Sequence, residues 1–160
     1  LAMRNHPQPI VAKVHGRALA GGCGLATACD LVIATESAEF GYPEVNIGFV
    51  PAIVMAILRR SVSEKRALEL IALGENISAK EALAAGLINR VFPDAEFETE
   101  AAAYIARLAA KPASALTLSK NLLYQIDAMS FEKALESGVQ TNAIARMTDE
   151  CRRGFERFRK

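Results

Sequence analysis

The chain has no tryptophan, two histidines and only three cysteines among its 160 residues. Cys23, Cys29 and Cys151 are odd in number and form no Cys-x-x-Cys pair. Neither a disulfide framework nor a zinc cluster is expected from them. Small buried apolar roles are expected instead, and a reducing cytoplasm is the expected compartment. His6 and His15 lie far in sequence from any cysteine or carboxylate cluster, which points to turn or core roles. Neither sign of charge dominates: 19 Lys and Arg face 18 Asp and Glu, for a net charge of +1. That balance gives no general attraction to nucleic acid or to a membrane surface. Charges break every apolar run well short of a membrane span. The opening Leu1-Ala2-Met3-Arg4-Asn5-His6-Pro7 lacks the basic-then-apolar order of a secretory leader. Gly-x-Gly-x-x-Gly and Gly-Lys-Ser/Thr are both missing, which removes the dinucleotide fingerprint and the P-loop.

What is present is a well-packed chain. Half of the residues, 51%, are apolar, and the mean hydropathy is +0.15, as in a globular domain with a real core. Pro9 to Val14 reads as a buried strand and Leu31 to Ala34 as a second. A short helix from about Gly22 to Cys29 lies between them. Strand, helix and strand in so short a stretch predict a crossover unit and an α/β core.

The Gly21-Gly22-Cys23-Gly24 run sits where the strand stops and the helix starts. Glycines there let the backbone approach another group closely. The first N–H groups of the helix have no partner of their own and carry the positive end of its dipole. Such N–H groups can hold a developing oxyanion. Phe40-Gly41-Tyr42-Pro43-Glu44 then delivers a carboxylate behind a rigid proline, among Phe40, Tyr42, Val45 and Ile47. Burial and a raised pKa are expected of it. An oxyanion donor with a nearby base suits chemistry at the carbon beside a carbonyl.

Downstream, Ala52 to Arg59 is nearly all apolar and reads as a buried helix. Ser63 is an expected N-cap for a helix ending before Gly74, and Ser78 with Glu81 forms a capping box stopped at Gly86. Leu87 to Phe92 reads as a strand. Helices follow over 96–110, 112–126, 131–147 and 149–158, with Ser130 and Thr148 as caps for the last two. The expected organisation is a core over residues 1–93 and a helical region over 94–160. Basic residues crowd the end of the chain: Arg146, Arg152, Arg153, Arg157, Arg159 and Lys160. They read as a solvated face that can also meet phosphates.

These blocks, in order, resemble the enoyl-CoA hydratase/isomerase (crotonase) family. Pro9 to Gly16, Ala18 to Cys23, Ala28 to Leu31, Phe40 to Val45 and Gly48 to Pro51 carry the likeness. So do Ile77 to Ala82, Ala85 to Asn89, and Asp149 to Phe158. The resemblance implies a spiral of ββα turns with a C-terminal helical region that packs subunits into homotrimers, often paired as hexamers. It implies an acyl-CoA substrate and no metal or organic cofactor. Gly21 falls where the family places its second oxyanion amide, and Glu44 where it places a catalytic glutamate. Ala20, Gly22, Gly24 and Pro43 flank those two as substrate-binding positions. Phe158 falls where an aromatic meets the CoA adenine across a subunit boundary.

Two departures from the family pattern carry chemistry. Two-acid hydratases have a glutamate where this chain has Gly24, which leaves Glu44 as the acid/base of this block. The family's glycine-rich loop after Pro51 is replaced by Ala52-Ile53-Val54-Met55-Ala56, which implies a more closed and apolar acyl pocket. The family also places a first oxyanion donor and an adenine-binding loop further upstream, whereas 20 residues precede Gly21 here. The chain is therefore expected to be a piece of a longer protein that lacks the N-terminal part of the family fold. Three functions stay open: hydration of a trans-2-enoyl-CoA to a 3-hydroxyacyl-CoA, isomerisation of a 3-enoyl-CoA with Glu44 alone, and a non-catalytic oligomerisation module or inactive fragment.

Overall fold

The computed structural model describes residues 1–158 of the backbone, and the side chain of Phe158 lies outside the described residues. α1 (Ala2–Asn5) precedes two short strands, β1 (Val11–Val14) and β2 (Arg17–Leu19). α2 (Gly21–Thr27) carries the chain to β3 (Leu31–Thr35) and β4 (Glu39–Gly41). A 3-10 turn over Pro43–Ile47 leads to α3 (Ala52–Ser61) and α4 (Glu64–Leu73). β5 (Asn76–Ser78), α5 (Ala79–Ala84) and β6 (Arg90–Phe92) complete the mixed part. α6 (Phe97–Ala109), α7 (Ala113–Gln125), α8 (Phe131–Met147) and α9 (Asp149–Phe158) follow.

The chain divides into two compact units, Ile10–Tyr104 and Leu1–Pro9 with Ile105–Lys160. In the first, β3 lies between β1 and β6, parallel to both, with Val32 opposite Ala12 and Ala34 opposite Val91. A second sheet places β4 between parallel β2 and antiparallel β5. β3 thus stacks on β1 while β4 stacks on β2, and α2 makes the crossover between them. This is the spiral of ββα turns that the resemblance implied.

β3 is the central strand of its sheet, and its apolar run follows from burial on both faces. Val32 and Ala34 point into a core with Phe40, Tyr42, Leu58 and Leu70. Ile33 points the opposite way, onto Phe97 and Ala101 of α6. Phe40, Tyr42, Ile33 and Leu58 are all fully buried. Each such side chain is worth roughly 1.5–3 kcal/mol when removed from water.

Local signals set the helix ends as read from the sequence. The Ser63 side chain accepts from the Arg66 N–H, and Gly74 ends α4 in the left-handed conformation. Ser78 and Glu81 form the reciprocal capping box at the start of α5. Two expectations need correction. β2 and β5 were not foreseen, because each is three residues long and abuts a turn or a cap. α3 is a helix as expected but is not buried: Leu58 alone is fully covered, and Ile53 is 85% exposed. Its apolar composition carries no polar stripe from which the wet face could be told.

In the second unit, Pro112 precedes α7 and offers no side-chain cap. Glu150 of α9 supplies one instead, accepting from the Ser114 N–H at 2.8 Å and the Ala113 N–H at 3.3 Å. Lys120 donates to the Met3 and Gln8 carbonyls at 2.9 and 3.1 Å, which ties the first residues of the chain to α7. Arg4 adds a stack 4.2 Å over the Tyr124 ring and an ion pair to Asp127.

The bonds from Ser114 hold the Glu150 carboxyl below its ordinary value of 4.5. A depressed folded value means that the unfolded chain binds the proton more readily. This contribution to stability is therefore complete above 4.5 and is lost as pH falls through the lower folded value. Thermal melts of wild type and Glu150→Gln from about pH 6 to about pH 3 check it. The wild-type midpoint is expected to fall more steeply than the variant's across the acid range.

Candidate functional site

The site is built where β2 gives way to α2. The chain turns at Ala20 with φ 51° and ψ −126°, and Ala20 is the one non-glycine with positive φ among the described residues. A residue held so costs roughly 1–3 kcal/mol and needs surrounding structure to hold it. That structure is the end of β4: the Ala20 N–H donates to the Gly41 carbonyl at 2.9 Å. The Ala20 carbonyl accepts the first helical bond from Gly24 at 3.0 Å. The N–H groups of Gly21, Gly22 and Cys23 consequently have no acceptor within the helix, and Ala20 supplies no side-chain cap. A Cβ on Gly21 or Gly22 would meet nothing within 4 Å, so the space before them is open.

The carboxylate follows from the same end of β4. Pro43 opens the 3-10 turn, and Gly48 closes it at φ 72° with its N–H to the Glu44 and Val45 carbonyls. The Phe49 N–H also donates to the Glu44 carbonyl, at 3.0 Å. The Glu44 carbonyl is thus held by two N–H donors. Its side chain is not: Oε2 is buried and has no hydrogen-bond partner among the described residues. Removing an acceptor from water without a partner costs about 1–3 kcal/mol, and more for a charged group.

Helix and turn meet through Tyr42. Its ring is fully buried, and its hydroxyl lies 3.3 Å from the Thr27 hydroxyl. The Cys23 thiol, also fully buried, lies near the same phenol. Burial pushes both the Cys23 thiol and the Tyr42 phenol up, and the nearby Glu44 charge adds to each. The Glu44 charge thus reaches Cys23 of the first turn of α2, the turn that carries Gly21. The sequence pointed to Gly21 and Glu44 but not to this link, since nothing in residue spacing pairs a tyrosine with a helix 15 positions away.

Gly24 is buried one turn along α2, and a Cβ there would come within 2.5 Å of Val54 Cγ2. Val54 of α3 thus packs directly on the glycine. Ala52-Ile53-Val54-Met55-Ala56 lies in the first turns of α3. Phe158, the remaining sequence candidate, is the last residue of α9, and its side chain lies outside the described residues. Among the described residues no group of three or more His, Cys, Asp or Glu comes together as metal ligands would. No helix among them is long and apolar enough to cross a membrane.

A family model described as "Enoyl-CoA hydratase/isomerase" matches residues 1–160. The chain belongs to the enoyl-CoA hydratase/isomerase family. A relative in Thermus thermophilus, named provisionally as an enoyl-CoA hydratase, is 42% identical over 153 residues, 96% of this chain and 60% of its own length. A crystal structure of enoyl-CoA hydratase from Mycobacterium smegmatis superposes with a TM-score of 0.94 at 34% identity, over 98% of this chain and 61% of that one. Human enoyl-CoA hydratase domain-containing protein 3 gives a TM-score of 0.93 at 33% identity, covering 98% and 62%. The fold is accordingly the crotonase fold, and the chain spans about three fifths of the length of these relatives.

Two stability measurements follow from this geometry. Gly24→Ala is expected to cost about 1–3 kcal/mol by overpacking. In a Val54→Ala background the same change is expected to cost about 1 kcal/mol or less, a coupling that a denaturant double-mutant cycle reads directly. Ala20→Gly is expected to stabilise the chain by about 1 kcal/mol, because glycine adopts the positive φ without strain. A destabilised Ala20→Gly protein in the same denaturant titration would contradict the strain.

Proposed function

We propose that the site hydrates a trans-2-enoyl-CoA to a 3-hydroxyacyl-CoA. The observation that carries this is the buried Oε2 of Glu44, without a partner among the described residues, together with the exposed first turn of α2 at Gly21 and Gly22. In the first step a water bound to Glu44 adds through its oxygen to C3, and its proton passes to the carboxylate. The electron pair of the double bond moves onto the thioester oxygen, where the Gly21 N–H stabilises the enolate. In the second step the Glu44 carboxyl returns a proton to C2 and the carbonyl re-forms. One carboxylate serves as base and then as acid, and neither step calls on a metal or an organic cofactor. Ala20 and Gly22 flank the amide, Pro43 aims the base, and Gly24 with Val54 forms an apolar wall. Phe158 takes the adenine of coenzyme A in an assembled protein. An apolar row on α8, Phe131, Leu135 and Val139, is exposed. At a four-residue spacing it forms one helix face, and it supports assembly as a homotrimer or a dimer of trimers.

Val54 against Gly24 also favours a second reading. With a valine methyl where a second carboxylate would project, a single base can take a proton from C2 of a 3-enoyl-CoA and return it to C4. That is isomerisation, and it needs no water.

Crotonyl-CoA separates the readings. Loss of the conjugated thioester absorbance supports hydration, while an inert crotonyl-CoA with turnover of a 3-enoyl-CoA supports isomerisation. Glu44→Gln is expected to lower kcat by about 100- to 10,000-fold with the fold intact. Full activity in that variant removes Glu44 from the mechanism. A folded chain inert to both substrates leaves the assembly-module reading.

A further inference from the structure

We infer that the Tyr42 hydroxyl is a positioning residue, a lock that sets the amide end of α2 against the Glu44 turn; its catalytic consequence rests on the function proposed above. The two halves of the site follow directly from the paired strands β2 and β4, and beyond that pairing each is a short segment. α2 is seven residues long and starts at a strained Ala20. Glu44 rides on a five-residue 3-10 turn, and its own carboxylate Oε2 bonds to nothing among the described residues. The Tyr42 phenol adds a side-chain bond between the two, beyond the backbone bond from Ala20 to Gly41. Its oxygen meets the Thr27 hydroxyl of α2 at 3.3 Å. Its backbone lies two residues ahead of Glu44.

The bond network is closed at every other point. The Thr27 hydroxyl donates to the Cys23 carbonyl at 2.9 Å, and the Ala20 N–H is held by Gly41, the neighbour of Tyr42. Through Thr27 the phenol is linked to the Cys23 carbonyl one turn earlier on α2, so one chain of bonds ties the phenol to both turns of the helix. Deleting the phenol oxygen keeps the ring, and with it the core packing, but removes that link. A misplacement of an ångström at a reacting group can cost about 100-fold in rate.

The phenol does not exchange protons in this role. Burial, with Cys23 and Glu44 beside it, pushes its pKa far above the working range. A lock therefore scales the rate without reshaping its pH dependence, whereas a proton-transferring tyrosine would remove a limb from the profile.

The test uses Tyr42→Phe and, as a milder cut in the same network, Thr27→Val. For Tyr42→Phe on crotonyl-CoA, kcat is expected to fall about 10-fold or more with KM within about twofold. The pH profile is expected to keep its shape. Amide hydrogen exchange supplies a readout that needs no turnover. The amides of α2 are expected to exchange about 10-fold faster in Tyr42→Phe, and less so in Thr27→Val, with β1 and β3 unchanged. Unchanged exchange in α2, or faster exchange across β1 and β3 alike, overturns the lock. Faster exchange confined to α2 with an unaltered kcat overturns its part in the reaction, and a changed alkaline limb makes Tyr42 a proton donor instead. If wild type turns over neither enoyl thioester, the function proposed above fails, and the exchange data alone decide whether the lock exists.

Discussion

At Glu44 a carboxylate oxygen is taken out of water and given no donor among the described residues, and folding has to offset that cost. Folded proteins satisfy nearly all buried polar groups, and an orphan calls for an explanation. Here everything nearby is arranged to keep it. Pro43 restricts the approach, Gly48 and Phe49 hold the Glu44 carbonyl, and Tyr42 anchors the preceding residue in the core. The strained turn at Ala20 is a second cost in the same place, and it is held by the same strand through Gly41. β4 thus supports both costs. Its three residues pair on both sides, with β2 and β5, which gives so short a strand the rigidity the site needs.

Much of the architecture was legible because its signals are local. Ser63 and Gly74, Ser78 and Glu81, and Ser130 each act within a turn of backbone, so residue type and spacing suffice to place them. Glu44 stood out for the same reason, as a carboxylate behind a proline amid apolar neighbours. The hidden features join residues distant in sequence. Val54 packs on Gly24 across 30 positions, and no composition rule pairs a valine with a particular glycine. The strain at Ala20 was hidden because alanine is the last residue one would place at positive φ beside two available glycines. The exposed face of α3 was hidden because exposure depends on what else covers a helix, not on the helix itself.

Val54 changes the meaning of Gly24. Taken alone, a glycine in place of an acid is an absence, a gap that water could fill. In the structure the gap is closed by two methyl groups of a β-branched side chain, whose χ1 is stiff. The region next to α2 is thereby apolar. An apolar wall lowers the local dielectric, which strengthens the pull of the amide end of α2 on a developing negative charge. Under the proposed reaction, Val54 also occupies the place beside Gly24 where a second proton carrier would project.

A lone acid/base faces a geometric demand that a pair does not. Two carboxylates can each be fixed over one atom, whereas one must serve two positions in turn and has to reorient between them. The backbone of Glu44 is held by the turn, yet no hydrogen bond commits its Oε2 to a direction. A donor to that oxygen would stabilise the fold and would tie the carboxylate to one of its two positions. Under the proposed reaction the missing partner is therefore a requirement of having a single base: rigidity is placed in the backbone on both sides of Glu44 and in the helix opposite, and freedom is left in the one group that has to move.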